Sequence, residues 1–559
     1  MSSTSTCFVA APAHRIERHV HADGRVALLT ALRPELGRPS AWWWQPLAWA
    51  GGLNYRALPL HGQMQALPEP LPPLGTPLRW TLPAQLWPAR QTLQAHLRPG
   101  ERVGLLGLAV YRDLRTPQQA GVGVHATGLE QAVAELLTHP SEQWCHGFVL
   151  MPEEQQAQAA AGAAVSVAFG ACQYPPGLLD ASHGWERDPE RASPALASLA
   201  RLHALARHPT LGPELSLLLI LGDQIYADAT AGLADPDSSL ERYAANYQRF
   251  KRGPVRLLPP TLARIVHTPD DHEIVDNWEP RLAPDGSVQR GPWVQAAAQA
   301  AWDYRWEADA QAQRGASATA QQLWHAFDWR GIAVFACDSR FEREPRRLDT
   351  VAHAHMLGQA QRSALAQWLA HSRGRPRLLL TGTLPLPRRV RSAQHPAQAL
   401  RSDAWCGYPA SLHALLGEIW RQRADGLLLL SGDEHRSGWV SFELQALDAG
   451  PDAPVVRAAS LHSSAFYAPW AFTVTPAHEL ATPDEWEFQP EPLCSGDAPL
   501  PRLRCRVSSW QDHPGDGFAL LRWQDHSRTW QLWFDRARAP LHAQASLPTP
   551  LAQWHLPPH

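Results

Sequence analysis

LSLLLILGDQIYAD (Leu215–Asp228) joins a run of seven residues, six of them aliphatic, to a polar turn that starts at a glycine. A short aliphatic run that ends at glycine is typical of a β-strand buried on both faces. Five further segments repeat this pattern: VSVAFGACQ (Val165–Gln173), ARIVHTPDDHE (Ala263–Glu273), GIAVFACDSR (Gly331–Arg340), RLLLTGT (Arg377–Thr383) and LLLLSGDEHRS (Leu427–Ser437). Ligands of open α/β sheets bind beyond the carboxyl ends of the strands, so the polar clusters are predicted to form one site.

The composition is that of a soluble globular protein. The 559 residues are 45% hydrophobic and 18% charged, and this length favours more than one domain or core. A net charge of −3 gives no overall attraction to nucleic acid, so no nucleic-acid partner is expected. The seven cysteines are scattered and form no CxxC pair, which argues against a disulfide framework or a structural zinc site.

Targeting and membrane segments are not evident in the sequence. No stretch approaches the roughly 20 apolar residues of a membrane-spanning helix, and the first residues show neither a signal peptide nor a twin arginine. We therefore expect no transmembrane segment and a cytoplasmic location, although a wrongly assigned start site would also fit. The sequence does not indicate whether the protein is a monomer or an oligomer.

The chain is predicted to have four parts, which differ in whether their strands end in the polar clusters described above. The first is β-rich and lacks such strand ends, the second has the composition of a linker, and the third alternates strands with helices in an α/β pattern. The fourth is expected to complete the catalytic domain. The predicted ranges are 1–150, 151–164, 165–475 and 476–559.

Local patterns predict several individual elements. Strands are expected at Gly24–Arg33 and Pro77–Trp87, and a strand pair at Gly517–Trp523 and Arg528–Asp535. Apolar residues at helical spacing predict helices in three segments: Gly128–Leu137, Ser193–Pro209 and Leu357–Ser372.

Asp223 is the sharpest candidate metal ligand. It follows a predicted buried strand, where a carboxylate without a partner would be costly and a cation is the usual remedy. The alternative is a turn or N-cap aspartate. Tyr226, three residues on, would be a core residue in most proteins.

Two further clusters combine carboxylates with histidine. PDDHE contains Asp271 and His272, an acidic ligand beside a group that can protonate a leaving oxygen; the alternative is a solvated turn. SGDEHRS contains Asp433 and His435, which are two residues apart and point the same way in extended chain.

Cys172 and Arg340 also follow predicted strands. A lone Cys172 would usually be a buried structural cysteine, but its position matches that of the other candidates. Arg340 has the chemistry to grip phosphate oxygens in a bidentate manner. The alternative for Arg340 is a salt bridge with Asp338 or Glu342.

The ordered segments ACQ, GDQIYAD, DDHE, DSR, LGQAQRSALAQWL and SGDEHRS resemble the alkaline phosphatase D (PhoD-like) branch of the calcineurin-like metallophosphoesterases, over about residues 165–475. The resemblance implies an α/β sandwich of two mixed sheets with a dinuclear metal site between them. It also implies metal-dependent hydrolysis of phosphomonoesters or phosphodiesters, on a small-molecule or lipid substrate. The alternatives are a non-catalytic scaffold that keeps this fold, or a phospholipase or nuclease with the same site.

The resemblance also assigns roles within the site. It implies a bridging role for Asp223, a general-acid role for His272 and a substrate-binding role for Arg340. The implied metal ligands are Cys172, Tyr226 and His435 at the first ion, with Asp271 and Asp433 at the second.

The donor set suggests which metals are bound. Tyr has an ordinary pKa of about 10, so binding as phenolate at neutral pH calls for a strongly Lewis-acidic ion. Fe(III) at the first position and calcium or another divalent ion at the second fit the donors and the resemblance. The chain departs from the wider superfamily in two places: Cys172 stands where a DxH element is usual, and RLLLTGT offers no histidine.

Overall fold

The computed structural model describes segments between residues 8 and 148 and, with gaps of a few residues, 164–176, 194–229, 240–304, 322–387, 396–469, 480–537 and 548–557. The chain forms two compact units. The first comprises Met1–Ala160 and Asp303–Gly315, and the second comprises Ala161–Trp302 and Ala316–His559.

The first unit is built from antiparallel strands. Its described strands are β1 Phe8–Pro12, β2 His14–Val20, β3 Val26–Ala31, β4 Ala41–Trp49, β5 Tyr55–Ala57, β6 Gln63–Ala66, β7 Pro77–Thr81, β8 Arg102–Arg112 and β9 Gly147–Phe148. One sheet has the order β1-β8-β4-β5, with β6 on β4 and β9 on β8, and a second has the order β2-β3-β7. Strands β3 and β7 confirm the predicted strands, with shorter bounds.

Two predictions fall outside the described residues. These are the helix at Gly128–Leu137 and, apart from its last residue, the linker at 151–164. The domain boundaries therefore stay predictions.

The second unit is α/β. Its described strands are β10 Val165–Gln173, β11 Leu215–Leu221, β12 Arg264–Thr268, β13 Arg281–Leu282, β14 Val288–Gln289, β15 His325–Trp329, β16 Ile332–Ala336, β17 Arg377–Leu380, β18 Leu428–Ser431, β19 Ser437–Ala446, β20 Val456–His462, β21 Ala465–Tyr467, β22 Asp484–Phe488, β23 Leu503–Val507, β24 Gln511–His513, β25 Gly517–Gln524, β26 Thr529–Arg536 and β27 Ala552–His555. All six predicted strand segments are confirmed.

The described helices lie between these strands. They are α1 Ala197–Leu205, α2 Leu211–Glu214, α3 Leu240–Arg252, α4 Pro292–Tyr304, α5 Gln359–His371, α6 Pro396–Ala399 and α7 Pro409–Arg421, with short 3-10 turns at Pro194–Leu196, Asp271–Glu273 and Trp405–Gly407. Helices α1 and α5 confirm the two predicted helices within the described residues. Among those residues, no helix is both long enough and apolar enough to cross a membrane.

Two mixed sheets make up most of the second unit, which confirms the predicted fold class. The first sheet has the order β12-β11-β10-β25-β26-β27, with β21 also on β10. Its strands β10, β11 and β12 are parallel, whereas β25 and β26 form the predicted antiparallel pair. The second sheet has the order β15-β16-β17-β18-β20-β19-β23-β22, with β24 on β19. Strands β16, β17, β18 and β20 are parallel.

The continuous apolar runs follow from burial on both faces. Along β16, Ile332 and Val334 belong to a core cluster that also includes Phe169 and Leu219 of the first sheet. The alternate residues Ala333 and Phe335 belong to a different cluster, which includes residues of α5 and α7. Because side chains alternate between the two faces of a strand, both faces of β16 are buried and all five of its residues are apolar. Strands β17 and β18 are also buried throughout and are apolar except for Arg377 at the start of β17 and Ser431 at the end of β18.

Candidate metal centre

The ends of parallel strands from both sheets meet at one place. In the first sheet, Cys172 is the penultimate residue of β10, Asp223 follows β11, and the 3-10 turn with Asp271 and His272 follows β12. Backbone hydrogen bonds join the first two ends: Cys172 N–H donates to the Gly222 oxygen at 3.2 Å, and Gln173 N–H donates to the Asp223 oxygen at 2.9 Å. The predicted convergence of these polar clusters is therefore present.

Four of the predicted ligands have left-handed backbone. The φ angles are +50° at Cys172, +50° at Asp223, +93° at Asp433 and +48° at His435. Such angles are uncommon for residues other than glycine and persist where surrounding structure requires them, often at functional sites. At these four positions the backbone departs from the extended conformation of a strand.

Two glycines leave space for a carboxylate between the sheets. A Cβ atom on Gly382, which follows β17, would lie 2.6 Å from Cγ of Asp270. Gly222 has a φ of +96° and is also close to Asp270. The RLLLTGT segment, which offers no histidine, thus contributes the room that the acidic cluster occupies.

Two groups of three side chains are arranged so that each could hold a cation. Asp223, Asp271 and His272 form one group, and Asp270, Asp271 and Asp433 form the other, with the ligand atoms of each group within 4.8 Å of one another. Asp271 belongs to both groups. Asp223, which the resemblance assigns as the bridge, belongs to one.

Cys172, Tyr226 and His435 lie at the border of the first group. Sγ of Cys172 is 3.4 Å from Oδ2 of Asp223. The hydroxyl of Tyr226 is 3.4 Å from Nε2 of His435, and its ring lies on His272 with 4.1 Å between the ring centres. All the predicted ligands are therefore brought to one region.

The acidic side chains are buried without enough positive charge around them. Burial raises the pKa of Asp223 well above its ordinary value, and Asp271 raises it further. Burial, together with Asp270, acts in the same direction on the pKa of Asp433. Burial also raises the pKa of Asp270 to about 6, even though Arg340 opposes it.

Two carboxylate oxygens in this cluster accept no hydrogen bond. They are Oδ2 of Asp270 and Oδ1 of Asp271, both buried. An acceptor left unsatisfied in the interior is costly, and a cation would satisfy both oxygens and favour the charged form of each carboxylate. The residues present therefore fit a bound metal ion.

Cys172 and Tyr226 would be neutral here without such an ion. Burial raises the pKa of the Cys172 thiol well above its ordinary value, and Asp223 adds to the effect. Burial, followed by Cys172 and Asp223, does the same to the pKa of the Tyr226 phenol. Ligation as thiolate and phenolate thus requires a cation that outweighs this environment.

His272 is held by a carboxylate that the sequence analysis did not single out. Its Nδ1 is 2.7 Å from Oδ1 of Asp228, and its Nε2 is 3.9 Å from Oδ1 of Asp276. Burial disfavours the imidazolium, but Asp271 and Asp223 outweigh this and raise the pKa of His272 well above its ordinary value. Asp228 thereby fixes the ring orientation.

Arg340 is completely buried and lies among carboxylates. Its guanidinium hydrogen-bonds Asp270 through Nε and Asp403 through Nη1 at 2.6 Å. Its Nη2 lies 3.5 Å from Oδ1 of Asp271 and makes no hydrogen bond. The alternative prediction, a salt bridge from Arg340 to Asp338 or Glu342, is wrong. The Asp338 carboxylate accepts from the backbone N–H of Arg340, and the Glu342 carboxylate accepts from Trp324, Gly358 and Gln361.

Glu273 links the two loops that carry Asp223 and Asp271. Its carboxylate accepts from the backbone N–H groups of Asp270 at 2.7 Å, Asp223 at 3.0 Å and Ile225 at 3.4 Å. Burial raises the pKa of Glu273 to about 8, against the opposite effect of these hydrogen bonds. The DDHE segment is therefore a buried junction and not a solvated turn.

Several residues that support the candidate ligands carry little or no signal in the sequence. Asp228 lies within GDQIYAD, and its distance of five residues from Asp223 is a usable signal. Asp403 carries no such signal, because it lies in a loop before Trp405–Gly407. His462 of β20 also escapes notice, although it accepts a hydrogen bond from the N–H of Glu434 at 3.2 Å and so holds the loop between Asp433 and His435.

Carboxylates and a histidine lie together at the strand ends of two mixed sheets, an arrangement that suits a metal-dependent phosphoesterase. A family model described as PhoD-like phosphatase matches residues 200–488, slightly more than half of the chain, and the chain belongs to this family. The resemblance seen in the sequence is thus confirmed. Cys172 lies before the matched region.

Comparison with individual proteins gives one similar solved structure and no curated relative. A solved structure described as "Structure of PhoD" is 14% identical, with 94% of this chain and 85% of that chain covered and a TM-score of 0.48. Among curated proteins, none matches this chain.

We predict that Glu273→Ala destabilises the protein by on the order of 3 kcal/mol, because buried N–H groups of Asp270 and Asp223 lose their acceptor. Glu273→Gln should lose much less, since one amide oxygen can still accept from both. Urea denaturation of the three proteins measures the difference. Equal stability of the Ala and Gln variants would contradict the proposed link.

Proposed function

We propose that the chain hydrolyses phosphate esters, as a phosphomonoesterase, a phosphodiesterase or both, with two metal ions in the cluster around Asp271. The observation that carries the proposal is the pair of three-residue groups that share this aspartate. The raised pKa values of Asp223 and Asp433 support it, because buried carboxylates that resist ionisation are stabilised by cations.

The first ion would be held by Cys172, Tyr226, Asp223 and His435, and the second by Asp271 and Asp433. Asp223 is proposed to contact both ions. Because Asp271 belongs to both three-residue groups, it would also be placed to contact both. Fe(III) in the first position suits thiolate and phenolate donors, and calcium or another divalent ion suits the oxygen-rich second position.

Bound metal ions supply Lewis-acid chemistry at the phosphate and favour ionisation of an attacking water. The remaining work falls to the chain. His272, oriented by Asp228 through a 2.7 Å contact, would donate a proton to the departing ester oxygen. Arg340 would keep Asp270 and Asp403 in place and offer Nη2, its atom without a hydrogen bond, to a phosphate oxygen.

Asp223→Asn tests the proposal with a chromogenic phosphomonoester and a phosphodiester. The change removes a ligand charge but keeps the oxygen that accepts from the N–H of His272. We expect kcat to fall more than tenfold, a barrier increase above about 1.4 kcal/mol, in a protein that stays folded.

Asp328→Asn is the matched control, since Asp328 is exposed in β15 and, among the described residues, its ion pair is with Arg375. Its activity should equal that of the unmodified protein. An Asp223→Asn variant that keeps more than about a tenth of kcat would remove Asp223 from the mechanism.

His272→Ala tests the general-acid role. We expect a loss of about 10²–10⁴ in rate for alkyl phosphate esters, whose leaving oxygen needs a proton, and a much smaller loss for nitrophenyl esters. Metal content must be measured in parallel, because His272 also lies in a group able to hold a cation. Equal losses on both substrates in a variant that keeps its metal would refute the general-acid role.

Tyr226→Phe and Cys172→Ser test the identity of the first ion. Phenolate or thiolate bound to Fe(III) produces charge-transfer absorption, so the oxidised protein should be coloured and each change should shift or bleach the band. Tyr226→Phe keeps the ring that packs on Tyr174 with 5.1 Å between centres, so packing is preserved. A colourless, fully active enzyme with only zinc or magnesium would contradict this assignment.

A further inference from the structure

A large cavity lies beside the candidate metal centre. Its volume is about 1670 Å³. One wall is the short hairpin formed by β13 and β14, which brings Arg281 opposite Gln289. Trp278 and Trp293 contribute aromatic surface to the lining. The cavity thus has room for an organic molecule considerably larger than a phosphate group.

The cavity reaches the candidate centre through two of its lining residues. The N–H of Asn277 donates to Oδ2 of Asp271 at 2.7 Å, and Oδ2 of Asp403 accepts from Arg340 at 2.6 Å. Both Asn277 and Asp403 line the cavity. The cavity is therefore adjacent to the centre, and a substrate that reached from one to the other would place its remainder in this space.

The cavity lining is rich in arginine. Among the described residues, the lining contains three acidic side chains and five arginines, which are Arg281, Arg290, Arg346, Arg347 and Arg401. Some of these already serve the fold. Arg346 pairs with Glu279 and donates to the Ser402 and Gly407 oxygens, each at 2.7 Å, and Arg290 donates to the Phe341 oxygen.

Arg281 and Arg401 are exposed, and their side chains do not hold other described parts of the chain in place. Among the residues that the structure describes, neither side chain has an ion pair or a hydrogen bond. Arg347 has one exposed partner, Asp349, at 3.5 Å, and such surface pairs are weak. The cavity therefore offers two guanidinium groups, those of Arg281 and Arg401, that have no ion pair with a described residue, and the guanidinium group is well matched to phosphate oxygens.

We propose that this cavity binds a second phosphate group of the substrate and that Arg281 and Arg401 determine this specificity. The inference rests on the proposed phosphoesterase function and narrows its substrate class. The preferred substrates are esters that carry a further phosphate beyond the one being hydrolysed. A monoester with a neutral remainder leaves both arginines without a partner.

The test compares KM for fructose 6-phosphate and fructose 1,6-bisphosphate. Two charge-assisted contacts should lower KM for the bisphosphate by about tenfold or more relative to the monophosphate, which exceeds the twofold advantage of having two hydrolysable groups. In the double variant Arg281→Gln/Arg401→Gln this ratio should fall to about two. The advantage should also shrink as salt is raised from about 0.05 to 0.5 M, because screening weakens exposed charge pairs.

Arg457→Gln/Arg506→Gln is the matched control. Both arginines are exposed in strands of the second sheet, each paired with a glutamate, and neither lines the cavity. This variant should keep the KM ratio of the unmodified protein. A ratio near two in the unmodified protein, or a ratio retained in the Arg281/Arg401 variant, would overturn the inference while leaving the phosphoesterase function intact.

Calorimetry with inorganic tripolyphosphate measures anion binding in the cavity separately from phosphate ester hydrolysis. If neither sugar phosphate nor a nitrophenyl ester is hydrolysed, the proposed function fails. Tripolyphosphate that binds the metal-loaded protein and loses at least tenfold in affinity in the Arg281/Arg401 variant then still supports an anion-binding cavity. Equal affinity in the two proteins would overturn the cavity's role as well.

Discussion

The repulsion among carboxylates that are buried together is the constraint on which this structure depends. Asp223, Asp270, Asp271 and Asp433 converge where water is largely excluded, and burial raises the pKa of three of them. Like charges within a few ångströms cannot all ionise in such a place without compensation. Arg340 supplies one positive charge, which leaves most of the negative charge for a cation. The arrangement of these carboxylates therefore favours a bound cation.

The chain meets this constraint with features that look unfavourable in isolation. Left-handed backbone at Cys172, Asp223 and Asp433 costs energy at each residue, and Gly382 gives up a side chain where Asp270 needs space. Glu273 adds a further buried acid in order to hold two loops by their N–H groups. Each feature stabilises the position of a ligand at the expense of local stability, as is usual for functional sites.

Much of the fold and of the site could be predicted because the signal is local. The bounds of β10 match the apolar run Val165–Gln173, and burial on both faces requires such a run. Strand ends also marked the candidate ligands: Asp223 and Tyr226 follow β11, Asp271 follows β12, and Asp433 and His435 follow β18. Supporting contacts could not be predicted in the same way. Arg340 pairs with Asp270 and Asp403, which are 70 and 63 residues away, whereas sequence proximity suggested Asp338 or Glu342.

The origin of the ligands in two sheets links metal binding to folding. Asp223 and Asp271 extend from the first sheet, whereas Asp433 and His435 extend from the second, so no complete set exists until both sheets have packed through the core that contains Phe169 and Val334. A ligand that binds only the packed state stabilises it in proportion to the logarithm of its concentration. The bound cation would thus offset the repulsion that the chain must otherwise bear when the sheets close. Chelation should therefore loosen the junction between the sheets first and leave the outer core around α5 and α7 in place, since that core contains no ligand.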